Sequence, residues 1–109
     1  KRINVPLKIG QIVYFDSDDD IRVIQIIDKQ NMIVELRIRK EVEEQDGIFL
    51  YPVNQSAWIH GFNTSNYADD VIITPDKNQL FKITETKSYD TLFTGIKTLF
   101  VLEPYILKD

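Results

Sequence analysis

The dominant period along the chain is two. In "MIVELRIRK", Met32, Val34, Leu36 and Ile38 fall on one face, and Ile33, Glu35, Arg37 and Arg39 on the other. That is the pattern of a strand with one buried side. "IRVIQIIDK" is apolar on both faces, with Val23 and Ile27 on one and Ile24 and Ile26 on the other, which predicts a more central strand. The polar "DKQN" between them predicts a tight turn, so residues 21–39 read as a hairpin. Before it, "QIVYF" follows Gly10 as a short strand, and "DSDDD" links the two.

Further along, "GIFLYPV" starts at Gly47 and is expected to stop at Pro52. "AWIHGF" ends at Gly61, "DVIIT" closes at Pro75, "QLFKITET" alternates at Phe81 and Ile83, and "KTLFVLE" ends at Pro104. Only "RKEVEEQD" has good helix formers, but Val42 is its single apolar residue, too little for a buried stripe. It reads as a charged loop or extended hairpin. Seven or eight short strands with regular turn signals predict an all-β fold: a small, strongly bent barrel, OB-like or SH3-like, of six to eight antiparallel strands. A β-sandwich is the alternative.

Composition fits one domain: 109 residues, 43% hydrophobic and 28% charged. No apolar run approaches the roughly 18 residues of a membrane span, and no signal-peptide pattern is present. The chain opens on Lys1-Arg2 without a Met, which suggests a segment cut from a longer protein. The absence of cysteine removes disulfides, thiolate catalysis and thiolate metal sites. A formal net charge of −4 disfavours non-specific nucleic-acid binding, which needs a basic face.

Two stretches, "AWIHGFNTSNYADD" and "LFKITETKSYDTLFTGIKTLFVLEP", together resemble a motif of small, uncharacterised bacterial β-domains. There, an aromatic-Ile-x-Gly-aliphatic-Asp/Asn-Thr-Ser segment precedes a Thr-rich strand, a Gly turn and a Lys/Arg-Thr-hydrophobic-x-Val-Leu-Glu-Pro strand. "KIGQIVYF" and "IRVIQIIDKQNMIVEL" are similar to the opening of such domains, so the resemblance spans most of residues 8 to 104. It implies a fold, and export in many members, but no activity and no catalytic residue. This chain departs from the motif at Glu85, where Gly is common, and at Asn63, where Asp is common.

The only Trp and the only His, Trp58 and His60, share a strand face with Ser56. A serine hydrolase would need a nucleophile elbow, which is missing, and a His metal site would need further ligands. "NTSNYADD" is rich in side chains that cap their own backbone, so a structured turn is the leading reading and a polar binding loop the second. Asn54-Gln55-Ser56 and Asn63-Thr64-Ser65 match the glycosylation sequon, which matters only in a eukaryotic secretory setting. In "DSDDD", Asp16, Asp18 and Asp20 mimic the start of a calcium loop, but Ile21 and Ile27 stand where Gly and Glu belong.

Arg37, Arg39 and Lys40 suggest a phosphate-binding ladder, but Glu35, Glu41, Glu43 and Glu44 neutralise it. Of the aromatics, Phe49 and Tyr51 share a face, and one of Tyr14 and Phe15 should be the more exposed. The chain therefore reads as a non-enzymatic interaction module, without catalytic residues, metal or cofactor. A protein partner is expected to engage Tyr51, Trp58, His60, Phe62, Asn63, Thr64, Asn66 and Tyr67. A saccharide is not separable from a protein here. The alternative is OB-type single-stranded nucleic-acid binding through Arg37, Arg39 and Lys40 with nearby rings. A homodimer is expected if a strand such as residues 32–39 is exposed for pairing.

Overall fold

The computed structural model describes residues 7–76, 78–91 and 95–106, apart from the side chains of residues 40–42, 49–52 and 91. Its elements are β1 (Ile12–Tyr14), β2 (Asp20–Asp28), β3 (Asn31–Glu44), β4 (Gly47–His60), β5 (Ile72–Ile73), β6 (Leu80–Thr91) and β7 (Gly95–Tyr105). They form one sheet of seven strands in the order β1-β6-β7-β4-β3-β2-β5. All neighbours are antiparallel except β4 and β7, which run parallel through Ala57↔Phe100, Trp58↔Val101 and Ile59↔Leu102. The fold is all-β, as the period of two dictates. The sheet is not closed: β1 and β5 are its two ends and do not pair, so a closed, wholly antiparallel barrel is not what forms.

The sheet bends around a core on its inner face. Met32, Val34, Leu36 and Ile38 are all buried there, as their alternation requires, with Ile21, Val23, Ala57, Ile59, Phe81, Ile83 and Leu102. Phe15 is buried and Tyr14 only half so, and Phe15 meets Phe81 edge-on with centroids 6.0 Å apart. Burying such side chains contributes about 1.5–3 kcal/mol each, so this face dominates the fold. In β2 the alternation breaks after Val23, where a bulge shifts the register. Ile24 and Ile27 are therefore exposed, and β2 lies one place from the sheet end rather than at its centre. The segment 32–39 is no free edge: β4 flanks it throughout, and β2 lies on its other side as far as Arg37.

Two strands are longer than their prolines suggest. β4 runs unbroken through Pro52, paired with Arg39, and β7 runs through Pro104, paired with Phe81. Among the described residues, β4 has a strand partner only on its β3 side between Gly47 and Ser56. A missing N–H facing the open side costs no ladder bond. The charged segment 39–46 is accordingly the upper part of a long β3–β4 hairpin, turning at Gln45-Asp46.

A second, smaller cluster lies on the outer face: Ile33, Trp58, Leu99 and Val101, with Tyr89 packed against them. It exists because the far half of the β6–β7 hairpin leaves β4 and folds across the sheet. Lys87 of β6 sits over the Trp58 ring of β4 at 4.4 Å, and the Tyr89 hydroxyl donates to Gln25 Oε1 of β2 at 2.6 Å. No helix of the described residues is long and apolar enough to cross a membrane.

Candidate functional site

Trp58 and His60 share the outer face, since Ile33 opposes Trp58 and Asn31 opposes His60 in the β3–β4 register. Trp58 is only 7% exposed, and His60 is exposed. Asn31 joins them. Its Oδ1 accepts from Trp58 Nε1 at 2.9 Å and lies 2.7 Å from His60 Nδ1. Its Nδ2 donates to both oxygens of Asp28, at 2.9 and 3.1 Å. These two hydrogen bonds to a carboxylate fix which way the amide points. With an acceptor at Nδ1, His60 donates from that nitrogen to Asn31 Oδ1. The backbone N–H of Gln30, followed by the Asn31 amide, holds the Asp28 carboxyl below its ordinary pKa. Beside His60 lies a polar groove of about 250 Å³, lined also by Trp58, Glu85, Lys87, Val101 and Glu103. Among the described residues, no three His, Cys, Asp or Glu side chains are grouped so as to hold a metal ion.

The loop after His60 turns to the other face. Gly61 has φ +84°, and a Cβ there would meet Pro104 Cδ at 3.6 Å, so the left-handed turn is what favours glycine. Gly61 and Thr64 donate their N–H groups to Gln30 and Lys29 of the β2–β3 turn, at 2.8 and 2.9 Å. Thr64 is buried, and its hydroxyl donates to the Asp28 carbonyl. Asn63 Oδ1 accepts the Ser65 N–H at 3.0 Å, an Asx turn of the kind the composition suggests. Asp69 and Asp70 then tie the loop to β2, accepting from the Ile26 N–H and from Arg22 Nη1.

Phe62 and Tyr67 stack at 6.0 Å and pack on the inner core, while Asn63 and Asn66 are exposed. The residues picked from this stretch lie on two faces: Trp58 and His60 face outward, and Phe62 and Tyr67 cover the open end of the core. With Phe81, they line a pocket of about 190 Å³ whose floor includes Ile21, Met32, Ile59 and Ile73. The side chain of Tyr51 lies outside the described residues.

Arg37 and Arg39 do share a face, but each meets a carboxylate of the acidic tract at residues 16–20. Arg37 Nη2 bonds Asp20 Oδ2 at 2.8 Å, and Arg39 Nε lies 3.4 Å from Asp18 Oδ2. The hydrogen bond to Asp20, and then its charge, raise the Arg37 pKa. Arg22 is held between Glu35 and Asp70. The side chain of Lys40 lies outside the described residues. Asp20 and Asp18 of the acidic tract are therefore counter-charges for Arg37 and Arg39. Asp19 is buried, and its Oδ2 accepts the Asp16 N–H at 3.0 Å.

The feature that residue-by-residue reading missed is the open side of β4. The β3–β4 register is unbroken from Asn31↔His60 to Glu44↔Gly47, and Pro52 cannot donate to β3. N–H and C=O groups alternate sides along a strand, so those of Ile48, Leu50, Asn54 and Ser56 point to the open side. The same parity directs Trp58 toward β7, where the parallel pairing begins. A signal for this edge was present: no Asp, Glu, Lys or Arg occurs from Gly47 to Ala68. An open edge without charge lacks the usual protection against pairing, and Pro52 is its one interruption. Ile48, near the hairpin tip, is 67% exposed. Comparison of the chain with family models, with curated proteins and with solved structures gives no match.

Proposed function

We propose that the chain is a non-enzymatic protein-interaction module that takes up an extended segment of its partner along the open edge of β4. The observation that carries this is the uncharged edge from Gly47 to Ser56, which has β3 on one side and no strand on the other among the described residues. Strand addition of this kind draws affinity from main-chain hydrogen bonds and specificity from alternate side chains. The one-sided core and the sheet that bends around it support reading the domain as a variant of a small OB-like or SH3-like barrel left open at its seam. Nucleic-acid binding has less support, because Arg22, Arg37 and Arg39 each face a carboxylate.

The test uses Asn54→Pro. Asn54 is exposed, its N–H faces the open side, and its neighbour Val53 lies in a strand, as a residue before proline must. Peptides twelve residues long, selected from a random display library on the native chain, are then measured on both proteins. The expected result is binding of peptides with alternating β-branched or aromatic residues, weakened about tenfold or more by N54P while thermal stability changes little. Equal binding to the variant, or no peptide selected at all, would exclude strand addition here.

A further inference from the structure

The pocket at the open end of the core is distinct from the β4 edge and has its own chemistry. Its walls are the rings of Phe62, Tyr67 and Phe81, its floor is aliphatic, and Thr74, Pro75, Asp76 and Gln79 form its rim. Phe62 stacks on Tyr67 with planes 25° apart, and lies 6.1 Å from Phe81 at 41°. At about 190 Å³ it is well below the ~300 Å³ at which ligand pockets usually begin. It is close to an apolar cavity of ~150 Å³ that admits benzene. Its occupant is therefore a single side chain or a group of that size.

Charge decides which. Asp76 is exposed at the rim. Its Oδ1 accepts the Asn78 N–H at 2.9 Å, and no described cation pairs with it. The chain as a whole carries −4, so an anionic group is repelled. Ring faces attract ammonium groups, and an alkyl stem can lie on aliphatic walls while its head stays at the wet rim.

We propose that this pocket binds a lysine-type alkylammonium group of a partner protein. The stem lies against Ile73 and Pro75 and beside the rings of Phe62 and Tyr67, and the ammonium rests on the Asp76 carboxylate.

The probe is n-butylammonium, with 1-butanol and butyrate as controls, titrated against the ¹⁵N-labelled chain and read at the amides of Tyr67, Ile73, Thr74 and Gln79. Asp76→Asn keeps the Oδ1 that caps the turn and removes the charge. The expected result is saturable butylammonium binding, with butyrate much weaker. D76N should weaken butylammonium roughly threefold to fivefold, the scale of one exposed charge pair, and leave butanol unchanged. Phe62→Leu removes a ring face and should weaken the ammonium more than the alcohol. The proposal is overturned if D76N and F62L affect butanol and butylammonium alike, if butyrate binds as well as the amine, or if none of the three shifts these amides. Strand-peptide binding by D76N stays at the native level, so failure at the pocket and failure at the β4 edge are told apart.

Discussion

Asn31 holds more of the outer face than its size suggests. One amide oxygen serves both the buried indole N–H of Trp58 and the imidazole of His60, and the amide nitrogen is anchored on Asp28. Removing the amide leaves the indole donor without its acceptor in a site largely closed to water. Such a loss costs about 1–3 kcal/mol. Asn31→Ala should therefore lower unfolding free energy by that amount, measured by denaturant titration, while the emission of Trp58 stays blue because Leu99 and Lys87 still cover the ring. A loss below ~0.5 kcal/mol would mean that the indole finds another partner. The shared face of Trp58 and His60 is legible in "AWIHGF", because it needs only the strand period. The role of Asn31 is not, because it depends on the register between β3 and β4, and no local pattern sets that register for a polar residue at the start of a strand.

At the scale of elements, the two long hairpins behave differently. The β6–β7 hairpin folds over the sheet and buries Leu99, only 5% exposed, against Ile33, Trp58 and Val101. The β3–β4 hairpin keeps one side of β4 open. Leu99→Ala should cost about 2–3 kcal/mol, toward the low end for a buried leucine, because a cluster of four residues at the surface can partly collapse. It should also shift Trp58 emission to the red and increase acrylamide quenching, while the inner core keeps its native amide spectrum. Unchanged emission would mean that the hairpin is not what shields the ring. The alternation in "MIVELRIRK" and "QLFKITET" revealed the strands but not their lengths. Pro52 and Pro104 looked like ends because a proline removes a ladder donor. They are not ends, since Pro52 turns its missing donor to an open side and the registers continue through both. Whether a strand has a neighbour on a given side is tertiary information, which is also why residues 32–39 could be mistaken for an edge.

For the whole molecule, the sequence made an all-β sheet plain, but closure depends on whether the first and last strands meet. Here β5 has two residues and β1 three, too short to build a seam, and loop residues Phe62 and Tyr67 cover the core instead. The result is a compact inner body beyond which the exposed end of the β3–β4 hairpin extends, and stability should be distributed accordingly. Amides of Val34, Leu36, Ile59, Ile83 and Leu102, which sit in ladders over the buried face, should exchange with solvent only on global unfolding. Their free energies should then fall within the ~5–15 kcal/mol of a domain this size. The amides of Glu44 and Gly47 face each other across the end of the β3–β4 ladder, and both residues are exposed. They should exchange through local openings several kcal/mol cheaper that depend little on denaturant. A strand-adding peptide should slow exchange at Ile48, Leu50, Asn54 and Ser56, whose N–H groups face the open side, more than at the odd-numbered residues between them. That alternation separates strand addition from a general tightening of the hairpin, which would slow both sets alike. If the tip amides already share the free energy and denaturant dependence of the core in the isolated chain, the hairpin belongs to the same cooperative unit. Any partner would then gain its affinity without ordering the edge it binds.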